Sequence, residues 1–461
     1  MTEFTREMWE RMRTPILEKV KPPLEIHEKV CKVADHFVDT LNRMSPDDIE
    51  VVLTGSFAKE TYIKDDVDFD VFLLFPHTYS LEQLQSLTFA WGKKLLDRWE
   101  VAYAQHPYLR GEHKGHRVDI VPSYKLDEGS GQVSIRSAVD RTQLHTKYIL
   151  ANITPEQKDD VRVLKVFLKR LGIYGAEIRT GGFSGYLCEL LIIKYGSFYG
   201  LIHAARGWKF PIAVDMEGGR SERLLRTLFK NQPFIVTDPV DRKRNVAAPV
   251  SVDSLSKFVA AAHVFFINPS SEVFFEKLKA WKKEEVLAQV KARGTSFVLY
   301  RFNAPEKSAD ILWGELRKTI AGMEKPFDSE GFDCTHMTAE VHKGKCYLLF
   351  ELVHGTLPRA KMYIGPYVRM GPHLERFMRE EKNNMDIFVK DERMCAIRPR
   401  KFVTSKELAE EIVKNPEKYG VSKGLANELA SAEIFLNSNA VFEESLLVFT
   451  KHFNRKFYLG L

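Results

Sequence analysis

Residues 55–74 read GSFAKETYIKDDVDFDVFLL, and their patterning sets the fold of the first third of the chain. DVDFDVFLLF (66–75) alternates polar with apolar residues and then turns wholly apolar. That pattern predicts a central strand, because a strand covered on both faces loses its alternation. EVVLT, ending at Thr54, predicts a short buried strand before it, and GSFAKETYI a turn leading into a helix. Upstream, Val30, Val33, Phe37, Val38 and Leu41 recur at helical spacing within 26–44. Downstream, 81–99 reads as an amphipathic helix with Leu81, Leu84, Leu87, Ala90, Trp91 and Leu95 inward. EVAYAQ (100–105) and HRVDIVP (116–122) are further strand candidates. The N-terminal part is therefore expected to be a mixed α/β unit with a small sheet.

The same stretch carries chemistry. On a strand, residues i and i+2 face one side, so Asp68 and Asp70 project together while Phe69 and Val71 face the core. Two carboxylates so close repel, and a divalent cation with oxygen preference, such as Mg²⁺, removes the conflict. Asp119 lies in a second strand with Arg117 on its face and Val118 and Ile120 on the other. If the two strands are neighbours, three carboxylates can hold two metal ions roughly 3.5–4 Å apart, the arrangement for in-line phosphoryl or nucleotidyl transfer. Gly55-Ser56 precedes the pair and opens the predicted helix. Glycine admits close approach of a ligand, and the helix start offers free N–H groups, Ser56 a hydroxyl and Lys59 a charge, which together make a phosphate seat. A D-x-D pair alone is commonly a solvated pair. A G-S pair twelve residues earlier, an apolar run just after and a third strand carboxylate make the metal reading far more specific.

After about residue 155 the texture changes. DDVRVLKVFLKRLG (159–172) predicts a helix stopped at Gly172. The apolar run 183–205 predicts another, and 257–269 a third, ended by Pro269. From about 290 short apolar runs return: TSFVLYRF, KCYLLFEL, MDIFVK and MCAIRPRKF, alternating with helical stretches such as SADILWGELRKTIAGM. The expected class is α+β. An N-terminal α/β domain (1–150) is followed by a mainly helical middle domain (151–285) and an α+β body and tail (286–461).

Bulk properties restrict the function classes. With 44% hydrophobic and 28% charged residues in 461, each domain can bury a core. A net charge of +6 tolerates a polyanionic partner without demanding one. The five cysteines, Cys31, Cys188, Cys334, Cys346 and Cys395, form no C-x-x-C pair, which argues against a zinc site and for a reducing compartment. The charged N-terminus does not resemble a signal peptide and no long apolar run exists, so a cytoplasmic protein without a membrane span is expected.

The G-S…D-x-D arrangement resembles the polymerase-β nucleotidyltransferase superfamily. DVFLLFP (70–76), YAQHPY (103–108), VDIVPSYKL (118–126), IRSAVDRTQLHTKYI (135–149), VRVLKVFLKRLGIYGAE (161–177), GGFSGYLCELLI (181–192) and DPVDRKRNVAA (238–248) narrow it. In this order they resemble the archaeal-type (class I) CCA-adding enzymes over roughly residues 50–250. The resemblance implies template-independent addition of C, C and A to the 3′ end of tRNA from CTP and ATP. It implies Asp68, Asp70 and Asp119 as catalytic metal ligands, and Gly55, Ser56, Lys59, His145, Lys165 and Tyr174 as nucleotide-binding residues. Arg244 and Asn245 fall near the base or primer end. The family often has arginine at the position of Lys59 and glutamate at that of Asp68, so the triphosphate grip becomes a point charge and the metal ligand one methylene shorter. The resemblance also allows a homodimer.

Without the resemblance, Lys165 reads as a solvated lysine beside a Val161, Leu164 and Leu168 stripe, Tyr174 as a half-buried tyrosine and His145 as a structural histidine. RNA contact is expected from 241–245, 359–379, 398–402 and 451–457, where basic and aromatic residues meet. Two alternatives are another superfamily member, such as a poly(A) polymerase, and a non-catalytic tRNA-end-binding protein. The latter has no physical reason to keep three carboxylates.

Overall fold

The computed structural model describes residues 4–103, 107–126 and 140–460. Residues 104–106 of YAQHPY and 135–139 of IRSAVDRTQLHTKYI lie outside the described residues. The chain forms two compact units, residues 1–277 with 456–461, and residues 278–455.

The first unit opens with α1 (Arg6–Val20), which the sequence reading did not anticipate, and α2 (Leu24–Met44). Then come β1 (Glu50–Thr54), α3 (Gly55–Ala58), β2 (Asp68–Phe75), α4 (Leu81–Leu95), β3 (Arg98–Tyr103), β4 (Pro107–His113) and β5 (His116–Tyr124). The strands make one sheet in the order β1-β2-β5-β4-β3. β2 and β5 run parallel, and the other neighbours are antiparallel. Phe69, Val71, Leu73 and Phe75 alternate onto the face covered by α2 and α4, where they meet Phe37, Leu41, Leu84, Val118 and Ile120. Asp68 and Asp70 therefore project from the opposite face. There Phe72 and Leu74 pack with Val52 and Val121.

Three expectations need correction here. The helix expected over 81–99 ends at Leu95, because Leu96 turns extended (φ −86°, ψ 132°) and the chain enters β3. Leu81, at the first helical residue, is 39% exposed and Ala90 is exposed as well, so the inward stripe is Leu84, Leu87, Trp91 and Leu95. β4 does not read as a strand in the sequence because Pro107 and Gly111 break the strand pattern. Gly111 sits where a Cβ would lie 2.3 Å from the Arg98 carbonyl, a close backbone approach rather than a loop signal.

The remainder of this unit is built on α5 (Asp140–Asn152), α6 (Pro155–Arg170), α7 (Gly185–Tyr195), α8 (Phe198–Ala205), β6 (Ile212–Val214), α9 (Glu222–Leu228), β7 (Phe234–Val236) and α10 (Val252–Ile267). The apolar run 183–205 is two helices, not one. Gly196 takes a left-handed conformation (φ +81°) that ends α7, and Ser197 caps α8 by accepting a hydrogen bond from Gly200 N–H at 3.0 Å. Similarly, α10 starts five residues earlier than expected because Ser251 caps it. Helix α6 is tied to the loop before β2. Arg162 donates to the Tyr62 carbonyl at 2.9 Å, and Lys165 to the Thr61 carbonyl at 2.8 Å.

The second unit contains α11 (Lys283–Arg293), β8 (Ser296–Asn303), α12 (Ala309–Glu330), β9 (Cys334–His342), β10 (Lys345–Leu352), β11 (Ala360–Tyr367), α13 (Gly371–Glu381), β12 (Asp386–Lys390), β13 (Arg393–Pro399), α14 (Ser405–Lys414), α15 (Ala426–Leu429), β14 (Glu433–Leu436) and α16 (Leu446–Phe453). A four-stranded sheet has the order β14-β8-β10-β9, and a three-stranded one β11-β13-β12. The larger sheet is buried on both faces. Val298, Tyr300, Leu348 and Phe350 meet α12 and α14, while Phe297, Leu299, Tyr347 and Leu349 meet α11 and α16. This double burial explains why its strands read as continuous apolar runs.

Candidate active site

In the parallel pairing of β2 and β5, Asp70 is the register partner of Asp119, and Asp68 that of Arg117. The strand alternation that buries Phe69 and Val118 thus places the two aspartates side by side on the other face. Burial, with the neighbouring Asp119 and Asp68 charges, pushes the Asp70 carboxyl up to about 6. Burial also raises Asp68, against the pull of Arg117. Such a site holds more negative charge than it can solvate, and its donors are all hard oxygens. The residues therefore fit a divalent cation. Two arginines supply the countercharge. Arg110, the register partner of Asp119 on β4, donates Nε and Nη2 to its two oxygens at 2.9 and 2.8 Å. Arg117 donates to Asp68. Asp68 and Asp119 are each turned to an arginine, and among the described residues no three His, Cys, Asp or Glu side chains converge on one point; a cation at the carboxylates would compete with these arginines.

The turn expected to seat phosphates differs from the sequence reading in two respects, the length of its helix and the pairing of Lys59. Helix α3 is a single turn of four residues, so it contributes little dipole, and only the backbone N–H groups of the turn and the Ser56 hydroxyl remain as donors there. Gly55 is held at φ +69°, and a Cβ there would fall 1.7 Å from Asp70 Oδ2. Only glycine lets this turn lie against the carboxylate. Gly55→Ala is expected to cost at least ~2 kcal/mol and on the order of 100-fold in single-turnover rate, by displacing Asp70. A thermal midpoint and rate equal to wild type would show that the turn can move away freely.

Ser56, Asp68, Lys165 and Tyr174 line one cavity of about 300 Å³, together with Arg117, Lys169 and Asp66. Lys165 is not the solvated lysine that the helix pattern suggests. It is 2% exposed, and burial brings its ammonium down to about 8. Lys59 is buried as well and pairs with Glu189 at 2.6 Å, while Thr61 donates its hydroxyl to the other Glu189 oxygen at 2.6 Å. The Tyr174 hydroxyl lies over Gly185, where a Cβ would meet it at 3.2 Å.

A second group forms around Asp238. His145, Tyr186 and Arg244 all hydrogen-bond to its carboxylate. Asn245, by contrast, is buried and committed to the backbone. Its Oδ1 accepts from Val236 and Ala247 N–H at 2.8 and 2.9 Å, and its Nδ2 donates to the Phe234 carbonyl at 2.8 Å. It braces the strand that carries the loop of Arg244.

Sequence reading missed Arg110, Glu189, Asp238 and Tyr186. Arg110 was hidden in the unread β4. Glu189 had a signal, as a lone acid in the apolar run GYLCELLII.

The description "nucleotidyltransferase domain" matches residues 34–145, "tRNA nucleotidyltransferase, second domain" residues 159–275, and "CCA-adding enzyme, C-terminal domain" residues 293–436. The chain is 33% identical to the CCA-adding enzyme of Methanothermobacter thermautotrophicus, over 90% of each chain. It is 34% identical to that of Methanocaldococcus jannaschii, over 88% of this chain and 90% of the relative. It is 36% identical to that of Archaeoglobus fulgidus, over 85% and 87%. Nucleotidyltransferases of this kind generally use divalent metal ions. With all three of its segments matched in order and close to its whole length shared with these relatives, the chain belongs to the archaeal-type CCA-adding enzyme family.

Proposed function

We propose that this chain adds C, C and A in turn to the 3′ end of tRNA, using CTP and ATP. The tRNA 3′-oxygen attacks the nucleotide α-phosphorus, the 3′-hydroxyl proton is lost, and the bond to pyrophosphate breaks. The carrying observation is the side-by-side placement of Asp70 and Asp119 on paired strands, in a chain that matches CCA-adding enzymes over nearly its full length. Mg²⁺ is the ion proposed for Asp68, Asp70 and Asp119; when bound it would lower the pKa of the attacking hydroxyl and neutralise the triphosphate. Gly55 and Ser56 seat the phosphates beside these carboxylates, with Lys165 and Tyr174 on the same cavity wall. The family resemblance assigns Lys59 to the triphosphate as well; here its ammonium is buried and paired with Glu189. His145 and Arg244 form a second nucleotide-facing group, with Asn245 bracing it. Residues 1–150 act as the catalytic domain, 151–285 hold nucleotide and primer end, and 286–461 take up tRNA.

No helix among the described residues is long and apolar enough to cross a membrane. The five cysteines are free, which supports a cytoplasmic site of action. A homodimer rests on the sequence resemblance alone.

Purified protein with Mg²⁺, CTP, ATP and tRNA lacking its last three nucleotides should add three residues and stop. With CTP alone it should stop after two, because the growing primer end reshapes the pocket. A long A tail, or no C incorporation, would overturn the reading. Continued C addition would remove the sensing step.

A further inference from the structure

Asp238 follows β7, and its side chain is 0% exposed. A buried carboxylate is tolerated only when its lone pairs are used. Here four donors use them. Oδ2 accepts from His145 Nε2 at 2.9 Å and from Arg244 Nη1 at 2.8 Å. Oδ1 accepts from the Tyr186 hydroxyl at 3.2 Å and from Val240 N–H at 3.1 Å. The donors come from α5, α7 and the loop after β7, so one carboxylate joins three separate segments. The loop is closed on itself as well: Asp238 N–H donates to the Arg244 carbonyl at 3.1 Å, and Arg244 N–H to that of Asp241 at 2.8 Å.

Two consequences follow for the nucleotide-facing side chains. Burial lowers the His145 pKa below its usual value, against the pull of Asp238, and so favours the neutral ring. An ionised Asp238 accepts and cannot donate, so the one ring proton sits on Nε2 and Nδ1 is left as an acceptor. The ring plane is fixed too, by stacking on Tyr186 with centroids 3.8 Å apart. Arg244 spends one Nη on Asp238 at 2.8 Å, which ties the end of a partly exposed side chain to a fixed carboxylate and leaves its other N–H groups to a ligand. Side chains held this way lose little entropy when a nucleotide arrives.

We propose that Asp238 is a positioning residue for nucleotide binding, holding His145 and Arg244 as a single pre-organised unit through the hydrogen bonds of its two oxygens. The proposal rests on the reading of His145 and Arg244 as nucleotide-binding residues. Asp238 touches no reacting atom, so it acts on the affinity for CTP and ATP rather than on the chemical step.

Asp238→Asn keeps the shape but puts a donor NH₂ either at the Oδ2 position, where it opposes both the His145 and the Arg244 N–H, or at the Oδ1 position, where it opposes the Val240 N–H and the Tyr186 hydroxyl, and in both cases it removes the charge that Arg244 pairs with. The expected result is a KM for CTP and ATP at least ten times higher, with kcat changed by less than threefold and tRNA affinity unchanged. Asp238→Glu, which keeps the charge, should recover part of the loss. In double variants with His145→Ala and with Arg244→Ala, the effects on KM should be less than additive. A merely structural role would lower the thermal midpoint and the active fraction while leaving the KM of the folded enzyme at its wild-type value, and that outcome would overturn the proposal. Additive effects in both cycles would also overturn it. The underlying reading fails separately: if His145→Ala and Arg244→Ala each leave KM unchanged, neither residue faces nucleotide. If they raise KM and Asp238→Asn does not, only the positioning role is wrong.

Discussion

Asp70→Asn is expected to lower nucleotide addition on the order of 1,000-fold while raising the thermal midpoint of the metal-free protein. Both effects come from one property. Burial and the charges of Asp119 and Asp68 push the Asp70 carboxyl up to about 6 in the folded chain, against about 3.9 in an unfolded one. A raised carboxyl favours the fold when protonated. That contribution is complete below about pH 4 and is lost as pH rises through about 6. At pH 7 the ionised group therefore opposes folding, by roughly 2 kcal/mol given its partial solvation. Asparagine removes the charge at nearly the same volume, so the folded state gains. A divalent cation should raise the midpoint of the wild type and not of the variant, and tRNA binding should persist in both. A lower midpoint in the variant would mean that the charge cluster is not strained. Retained activity would mean that Asp70 is not a metal ligand.

Glu189→Leu should cost about 3–5 kcal/mol in urea denaturation of the first unit, the largest stability effect expected of a single change there. Glu189 is 0% exposed and its two oxygens hold Lys59 and Thr61. Lys165 lies close by, on the carbonyl of the same Thr61. Leucine would fill the volume but leave the Lys59 ammonium buried without its partner. Pairing the change with Lys59→Met should recover most of the stability, since two apolar groups can replace a buried ion pair at little cost. Activity should stay low in the double variant, because the charge assigned to the triphosphate is gone. A Glu189→Leu protein within 1 kcal/mol of wild type would show that water reaches Lys59 and that the pair is not a closed one.

Strand β2 was legible because its carboxylates and its packing share one period. Alternation over Asp68, Phe69, Asp70 and Val71 says both which residues are core and which share the opposite face, and Val118-Asp119-Ile120 repeats the statement on β5. What joined the two strands was not legible, since the parallel register depends on α4 and the β3–β4 hairpin between them, and β4 breaks the strand pattern at Pro107 and Gly111. Arg110 was lost with β4. The error at Lys165 has a different origin. A helical stripe of Val161, Leu164 and Leu168 implies a solvated opposite face only if nothing covers that face, and here the loop before β2 covers it with carbonyl groups that need donors. Likewise, the run 183–205 carries helix periodicity throughout, and only Gly196-Ser197 marks the break. Asp238 could not have been found from spacing, because its partners lie 93, 52 and 6 residues away in sequence.

The most direct measurement of the carboxylate site is a Mn²⁺ titration followed by electron paramagnetic resonance, on wild type, Asp70→Ala and Asp119→Ala, each with CTP. Mn²⁺ prefers the same hard oxygen ligands as Mg²⁺ and reports its own binding. Wild-type protein should take up the ion with the nucleotide present, and both variants should bind it at least ten times more weakly while keeping a native thermal transition. Equal affinity in wild type and either variant would contradict a metal site built from Asp70 and Asp119 on the paired strands.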